Sequence, residues 1–389
     1  MKNSVKYINN LIKGLTLNLM AAIKKTHLNK ILFLVGYWTL AAVFYVSFEA
    51  AIIDGRSLSG RPFEFSISLA VAVIGAIFPS TAIASFEILY FNKLLRRKPF
   101  GIALIHKTSF YLISIFVFSS VAVLSSFSLI LEKSLFHKEV IDSFLAYLNG
   151  AGLLMMMVFW GLAVMSGIFI IHINDYFGQG VLVNFLLGKY HHPKEEVRIF
   201  MFMDLKSSTS YAEEYGHIKY SNLIQDCFYD LTDIVRERCA KVYQYVGDEV
   251  ILTWEIDKGT HNNNCIQTFF DFDRAINKKK DYYTSRYGLI PEFKAGLHYG
   301  DVIITEIGGA KEELAYHGDT VNTAARIQSV CNERKKKLIV SAELLSILSD
   351  EELDKKYYFE SEGITHLKGK KHAVGIFSVE ENNINIAPN

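Results

Sequence analysis

Four long apolar runs dominate the first 175 residues of this chain, at Ile31–Ile53, Ser66–Phe91, Thr108–Leu131 and Ala151–Ile173. Each exceeds the roughly 20 residues that a helix needs to cross about 30 Å of hydrocarbon. Beyond Ile173 the apolar positions become short and interleaved with charge, the pattern of a soluble domain. The first of these short runs, Ile199–Met203, ends on Asp204 and gives way to the polar Lys206–Thr209, which predicts a buried strand over Arg198–Leu205. Helices are predicted across Ser208–Cys239, a hairpin at Val242–Trp254 with a Gly-Asp turn at its tip, and a helix across Asn262–Arg286. Strands at Glu292–His298 and Val302–Gly308 follow, then a helix at Thr320–Glu333. Leu338–Val340, Tyr357–Glu360 and Gly375–Val379 are predicted as the last strands. The order suits helices packed on a largely antiparallel sheet, so the predicted fold is an α-helical membrane domain followed by an α+β cytosolic domain.

Charge orders these pieces. Residues 1–30 carry six lysines and no acid, a basic cytoplasmic segment in which Tyr7–Ile23 could lie on a membrane surface. A secretory signal fits poorly, because the first long apolar run begins only at Ile31 and has no small-residue cleavage pattern. Between the second and third runs lie Lys93, Arg96, Arg97, Lys98 and Lys107 without an acid, whereas Asp54–Phe65 and Glu132–Gly150 mix both signs. The excess of basic residues on cytoplasmic loops then predicts a multi-pass protein of the plasma or inner membrane, with its N-terminus and everything after Ile173 in the cytoplasm. The expected divisions are a four-helix transmembrane domain over 31–173, a juxtamembrane linker over 174–196, a soluble domain over 197–381 and a tail over 382–389. In the linker Val181, Leu182, Phe185 and Leu186 form an apolar face, compatible with pairing to a second copy or with a plain amphipathic connection. Glu49 and Glu87 fall within about a turn of helix ends and read as interfacial anchors. The formal net charge is +1, which gives no reason to expect nucleic-acid binding. Cys227, Cys239, Cys265 and Cys331 lack metal-ligand spacing and read as reduced thiols, and His191, His192 and His298 as linker and strand residues.

The chemistry gathers in three stretches of the soluble domain. Asp204, at a strand exit before small hydroxyl residues that open a helix, can hold a divalent cation while backbone N–H groups of the turn face phosphate oxygens. An Asp or Ser capping the next helix explains that stretch alone equally well. The hairpin places Asp248 at its tip, and two aspartates on neighbouring strand ends can share a pair of metal ions. In Ala315–Ile327, Asn322 and Arg326 are four apart and lie on one helical face. A guanidinium beside an amide suits an oxyanion or a transferring phosphoryl group.

In order and spacing these stretches resemble the class III nucleotidyl cyclases, over roughly Val197 to Val379. The resemblance implies a ferredoxin-like catalytic fold and conversion of ATP to 3′,5′-cyclic AMP and pyrophosphate. It makes Asp204 and Asp248 the ligands of two Mg²⁺ or Mn²⁺ ions per active site. Asn322 would orient the ribose, Arg326 would stabilise the transition state, and Lys370, with Lys368 as fallback, would bind the triphosphate. Leu205, Ser208 and Thr209 would border the substrate. It also implies a homodimer, with the aspartates from one subunit and Asn322, Arg326 and Lys370 from the other.

Two positions depart from the family's pattern. Gln244, three residues before the hairpin glycine, stands where adenylyl cyclases typically carry Lys and guanylyl cyclases Glu. Ala315 stands where Asp or Thr accompanies adenine and Cys guanine. A Gln amide can serve either purine, so ATP is the preferred substrate and GTP the alternative. The further alternative is a membrane receptor or nucleotide-sensing module without catalysis.

Overall fold

A computed structural model of the chain describes residues 25–55, 64–91, 94, 98–149, 151–177, 187–309, 312–348, 351–365 and 373–382. They belong to two compact units, Met1–Tyr176 and Phe177–Asn389. The expected surface helix over Tyr7–Ile23 and the linker positions Val181, Leu182, Phe185 and Leu186 lie outside the described residues.

The first unit is helical: α1 (Lys25–Gly55), α2 (Phe65–Phe86) running into a π-helical turn at Glu87–Phe91, α3 (Phe100–Ile130), α4 (Lys138–Asn149) and α5 (Ala151–Phe177). Four of these helices are long and apolar enough to cross a membrane, over Ile31–Ala51, Phe65–Phe86, Gly101–Ile130 and Leu153–Ile170. They are apolar all round: Leu40, Ile74, Phe78, Ile105 and Leu154 point outward, as on spans that face hydrocarbon. Their shared core is aromatic, with Trp38 and Trp160 ring centroids 6.3 Å apart and the Tyr45 and Tyr147 hydroxyls 2.8 Å apart.

Two expectations change here. The segment Glu132–Gly150 is more than a loop, because α4 is amphipathic and buries Val140 and Tyr147. Glu87 is not an interfacial anchor: it is buried and ion-paired with Lys107 at 3.0 Å. The reason is that α3 begins at Phe100, which carries Lys107 two turns into the helix rather than leaving it on a loop.

The second unit contains β1 (Lys194–Leu205), α6 (Ser208–Tyr215), α7 (His217–Glu237), β2 (Lys241–Val246), β3 (Glu249–Glu255), α8 (Ile256–Thr260), α9 (Asn264–Lys278) and α10 (Lys280–Tyr287). Then come β4 (Phe293–Ile307), β5 (Glu313–His317), α11 (Asp319–Arg334), β6 (Leu338–Ser341), α12 (Ala342–Leu348), α13 (Glu351–Lys356), β7 (Tyr357–Thr365) and β8 (Val374–Glu381). The strands form one sheet in the order β2-β3-β1-β4-β6-β8-β7, with β5 paired to the far half of β4. The β4–β6 pair is parallel and the other pairs are antiparallel.

Strand β1 is central and buried on both faces. Ile199, Met201, Met203 and Leu205 join the core beneath α7, α9 and α10, while Phe200 and Phe202 face a second cluster with Val302, Ile304 and Ala324 of α11. This alternation is the period of two that a strand imposes.

Residues 292–308, expected as two strands, form the single strand β4. Gly300 and Asp301 stay in the ladder opposite Arg198 and Val197. The helical stretch 208–239 breaks at Gly216, whose φ is +83°, and the stretch 262–286 divides into α9 and α10. The short elements α8, β5, α12 and α13 were not expected from the sequence.

At the far end of β3, Glu255 lies 3.0 Å from Lys241, 2.7 Å from Lys258 and 3.7 Å from the buried Arg198. Burial works against its ionisation, but hydrogen bonds from the two lysines outweigh it and hold the carboxyl at about 2 instead of the ordinary 4.5. A depressed carboxylate stabilises the fold fully above its unfolded value and loses that contribution as pH falls through the folded one. Glu255→Gln is therefore expected to unfold at lower denaturant than the parent chain at pH 7, with the gap closing as pH falls from 4.5 towards 2. A gap that stays constant over this range would show that the ion pairs contribute nothing.

Candidate active site

The strand register brings the acids together. Asp204 sits opposite Glu249 of β3 and Lys294 of β4, so the three side chains emerge on one face of the sheet. Lys294 Nζ is 3.1 Å from Asp204 Oδ2, and Gln328 Nε2 of α11 donates to the same oxygen at 3.2 Å. Asp248 follows Gly247, whose φ of +62° lets the β2–β3 hairpin turn tightly. Its carboxyl lies within interaction range of that of Asp204. The Tyr220 hydroxyl on α7 also bonds Asp248.

Crowding shows in the acidities. Burial, then the bond to and charge of Asp248, push the Asp204 carboxyl above its usual range against the pull of Lys294. Burial and both aspartates raise Glu249 to about 7. Burial and Asp248 raise the Tyr220 phenol to about 12. Three carboxyls face a single lysine, a surplus of negative charge that a divalent cation would neutralise. Among the described residues no three His, Cys, Asp or Glu side chains are set to hold a metal ion. Two aspartates suffice for Mg²⁺, which keeps waters and takes phosphate oxygens for its remaining positions. The donor set therefore fits the implied ions.

The other sequence-derived residues distribute around this cluster. Ser207 takes a left-handed φ of 59° and α6 starts at Ser208 with no side-chain cap, which leaves first-turn N–H groups beside the strand exit. Ser208 is half-buried and Thr209 exposed. The Leu205 side chain is only 3% exposed and belongs to the hydrophobic core, so only its backbone can border a substrate. Gln244 is exposed on the edge strand β2, just past a register irregularity. Ala315 is buried on β5 opposite Thr305. Its neighbour Tyr316 packs edge-on against Phe200 and Tyr243 at 5.4 and 4.7 Å. Burial raises the Tyr316 phenol to about 12 despite the nearby Arg198. Lys368 and Lys370 lie outside the described residues.

Helix α11 separates two functions by face. Thr320, Ala324, Ile327, Gln328 and Cys331 are turned to the sheet and buried, and Gln328 meets Asp204. Asn322 and Arg326 lie on the opposite side. Arg326 is half-buried, and its Nη1 is buried without a partner among the described residues. The acid pair is thus assembled within one chain, while Asn322 and Arg326 are presented away from it. Glycine sets how closely α11 lies on the sheet: a Cβ at Gly296 would fall 2.2 Å from the backbone N of Gln328.

The sequence reading missed Glu249, Lys294, Gln328 and Tyr220. A polar residue inside the apolar stripe Ala324, Ile327, Cys331 could have flagged Gln328. Lys294 and Glu249 needed the register.

The family model for the adenylate and guanylate cyclase catalytic domain matches residues 189–380. The second unit belongs to this family. Adenylate cyclase 2 of Rhizobium meliloti (strain 1021) is 34% identical over 178 residues, 46% of this chain and 49% of that protein. A receptor-type guanylate cyclase of Caenorhabditis elegans is 25% identical over 197 residues, 49% of this chain and 18% of that protein. The chain thus spans about half the length of the first relative and less of the second. The structure of a bacterial light-regulated adenylyl cyclase superposes with a TM-score of 0.50 at 19% identity, covering 59% of this chain and 66% of that one. That likeness is one of fold.

Gly296→Ala is expected to lower stability by at least the roughly 1–3 kcal/mol typical of overpacking, because backbone rather than a side-chain tip must yield. Gly309→Ala, with open space around its position, serves as the control. Equal denaturation midpoints for the two variants would refute the close seating of α11.

Proposed function

We propose that the chain is a membrane-anchored adenylate cyclase that converts ATP to 3′,5′-cyclic AMP and pyrophosphate at a site shared by two copies. The contact between Asp204 and Asp248 carries this reading. Two carboxyls held within interaction range of each other are unfavourable by themselves and suited to divalent cations. Bound there, Mg²⁺ or Mn²⁺ would acidify the ribose 3′-hydroxyl and neutralise triphosphate charge.

The chain's own residues supply the rest. Lys294 and Gln328 fix the orientation of Asp204 through its Oδ2. The first-turn N–H groups of α6, at Ser208 and Thr209, face phosphate oxygens, as helix N-termini do. The ribose 3′-oxygen attacks the α-phosphorus, the bond to the β-bridging oxygen breaks, pyrophosphate leaves and the 3′-hydroxyl proton is lost to water. Arg326 stabilises the charge that develops in this step, and Asn322 holds the ribose. Lys370 binds the triphosphate by family resemblance. The outward direction of the helix face that carries Asn322 and Arg326 supports delivery to the partner's acid pair, which gives two equivalent sites about a two-fold axis.

The 34% identity to a Rhizobium adenylate cyclase supports ATP. Gln244, exposed at the sheet edge, would meet the purine with an amide that can also turn to guanine, so GTP competes measurably. Replacing Gln244 with Lys should raise the ATP preference; a strict preference for GTP in the parent protein would overturn the assignment. Four apolar spans support anchoring in a bilayer, with both ends of the bundle's chain cytoplasmic by the distribution of basic residues.

Asp204→Ala and Arg326→Ala should each lose orders of magnitude in turnover with the fold intact. Co-assembled at random, they should recover about a quarter of parental activity, since half the dimers would carry one intact site of two. Verified heterodimers without recovered activity would place the whole site in one subunit.

A further inference from the structure

Where α6 turns into α7, the surface of the second unit opens into a groove of about 480 Å³. Small-molecule sites usually have about 300–1,000 Å³. Tyr215 at the end of α6, Lys219 and Asn222 near the start of α7, and Arg286 and Tyr287 at the end of α10 line it.

Hydrogen bonds and ring contacts tie these walls to one another. The Tyr211 hydroxyl donates to the Tyr287 carbonyl at 2.9 Å, and the Tyr211 ring stacks on Tyr215 with centroids 4.7 Å apart. The Tyr287 hydroxyl sits between the Asn222 carbonyl at 3.1 Å and Asp226 Oδ2 at 2.6 Å. Three helices are thus joined around the groove, and a ligand entering it has little to order.

The charge of the lining has one sign. It includes Lys219, Arg286 and His217 and no Asp or Glu. Lys219 Nζ lies 4.3 Å from the centroid of the Tyr215 ring and makes no ion pair among the described residues. Arg286 lies 5.5 Å from the Tyr287 ring centroid. Its contact with Asp226 Oδ2 is long, at 3.9 Å, and that oxygen already accepts from the Tyr282 phenol at 2.6 Å. The other acid nearby, Glu214, engages the Tyr215 hydroxyl. A ring face holds a cation in place without using up its N–H donors. Beside the two cations Ile218 is 82% exposed and gives the same lining an apolar part.

The groove is separate from the turn at Ser208 that faces the triphosphate. Helix α6 has 8 residues and lies between the two, a length of about 12 Å.

We propose that this groove binds a phosphate monoester with a small apolar body. The two permanent cations match the near-dianionic charge of such a group at neutral pH, and its three oxygens accept from both. The apolar body lies along Ile218. A monoester can arrive as a soluble metabolite or as the headgroup of a lipid such as phosphatidate, and the chemistry of recognition is the same. The inference rests on the groove alone and stands apart from the reaction assigned to the acid cluster.

Phenyl phosphate, phenyl sulfate and phenol share one shape and differ in charge. With the full chain in phosphatidylcholine nanodiscs, calorimetry should show saturable binding of phenyl phosphate. Phenyl sulfate, a monoanion, should bind at least about tenfold more weakly, and phenol should give no saturable heat. Lys219→Gln and Arg286→Gln should each weaken phenyl phosphate by at least about tenfold, and Lys219→Arg should retain it. The acetylation rate of Lys219, followed by mass spectrometry, distinguishes the sources. Protection by phenyl phosphate in phosphatidylcholine discs assigns a soluble monoester, and protection only in discs containing phosphatidate assigns the lipid headgroup. Protection by neither would overturn the proposal without reference to any variant. So would equal affinity for phosphate and sulfate, or phenyl phosphate binding that survives both glutamine substitutions, which would place it at another site.

Discussion

Asp204, Asp248 and Glu249 are held within interaction range at the end of a strand buried on both faces, and Lys294 offsets only part of their charge. Water would ordinarily screen such a group, but here burial is the leading cause of the raised acidities of Asp204 and Glu249. The rest of the second unit makes that arrangement tolerable. Its sheet places β3 and β4 on either side of β1, so that one register sets both the acids and the lysine. Helix α11 supplies an amide from above, and α7 supplies a phenol at the hairpin. An apolar core of this size can hold one strained cluster at its rim because the strand beneath cannot move independently of its neighbours.

Much of this was legible in the sequence, for identifiable reasons. Apolar runs longer than twenty residues and the shift to short interrupted runs are local signals, and they gave the two units. The Gly-Asp turn of the hairpin is a local signal too, and it placed Asp248 correctly at the tip. The misreadings concern information that one stretch does not carry. Gly300 and Asp301 resemble a turn, yet they remain in β4 because Arg198 and Val197 pair with them across the ladder. Lys294 and Glu249 acquire meaning only once Asp204 is known to lie between them. Glu87 looked like an anchor because its partner, twenty residues later, seemed to belong to a loop.

The helical unit follows a different logic. Its helices are apolar on every side, so periodicity cannot say which face is inward, and the interior is identified by aromatic size and by the few polar atoms. Tyr45, Tyr147, Glu87 and Lys107 find each other there in pairs. Pro79 interrupts the hydrogen-bond ladder of α2 in the same region where small residues leave the bundle incompletely filled. A bundle of this kind gains specificity from what it fails to pack as much as from what it packs.

The seating of α11 has a mechanical consequence. The helix meets β4 at two points, where a Cβ at Gly296 would fall 2.2 Å from the Gln328 backbone and one at Gly300 would fall 2.7 Å from Thr320 Oγ1. Those contacts are eight residues apart, or about 12 Å along the axis, and Asn322 and Arg326 lie between them. A beam supported at both ends does not pivot, so the outward face of α11 travels with the sheet as one rigid plate. Where the site is shared between two copies, a change in turnover must then come from sliding or rotating one whole plate against the other, and small motions at the dimer axis would act on both sites at once.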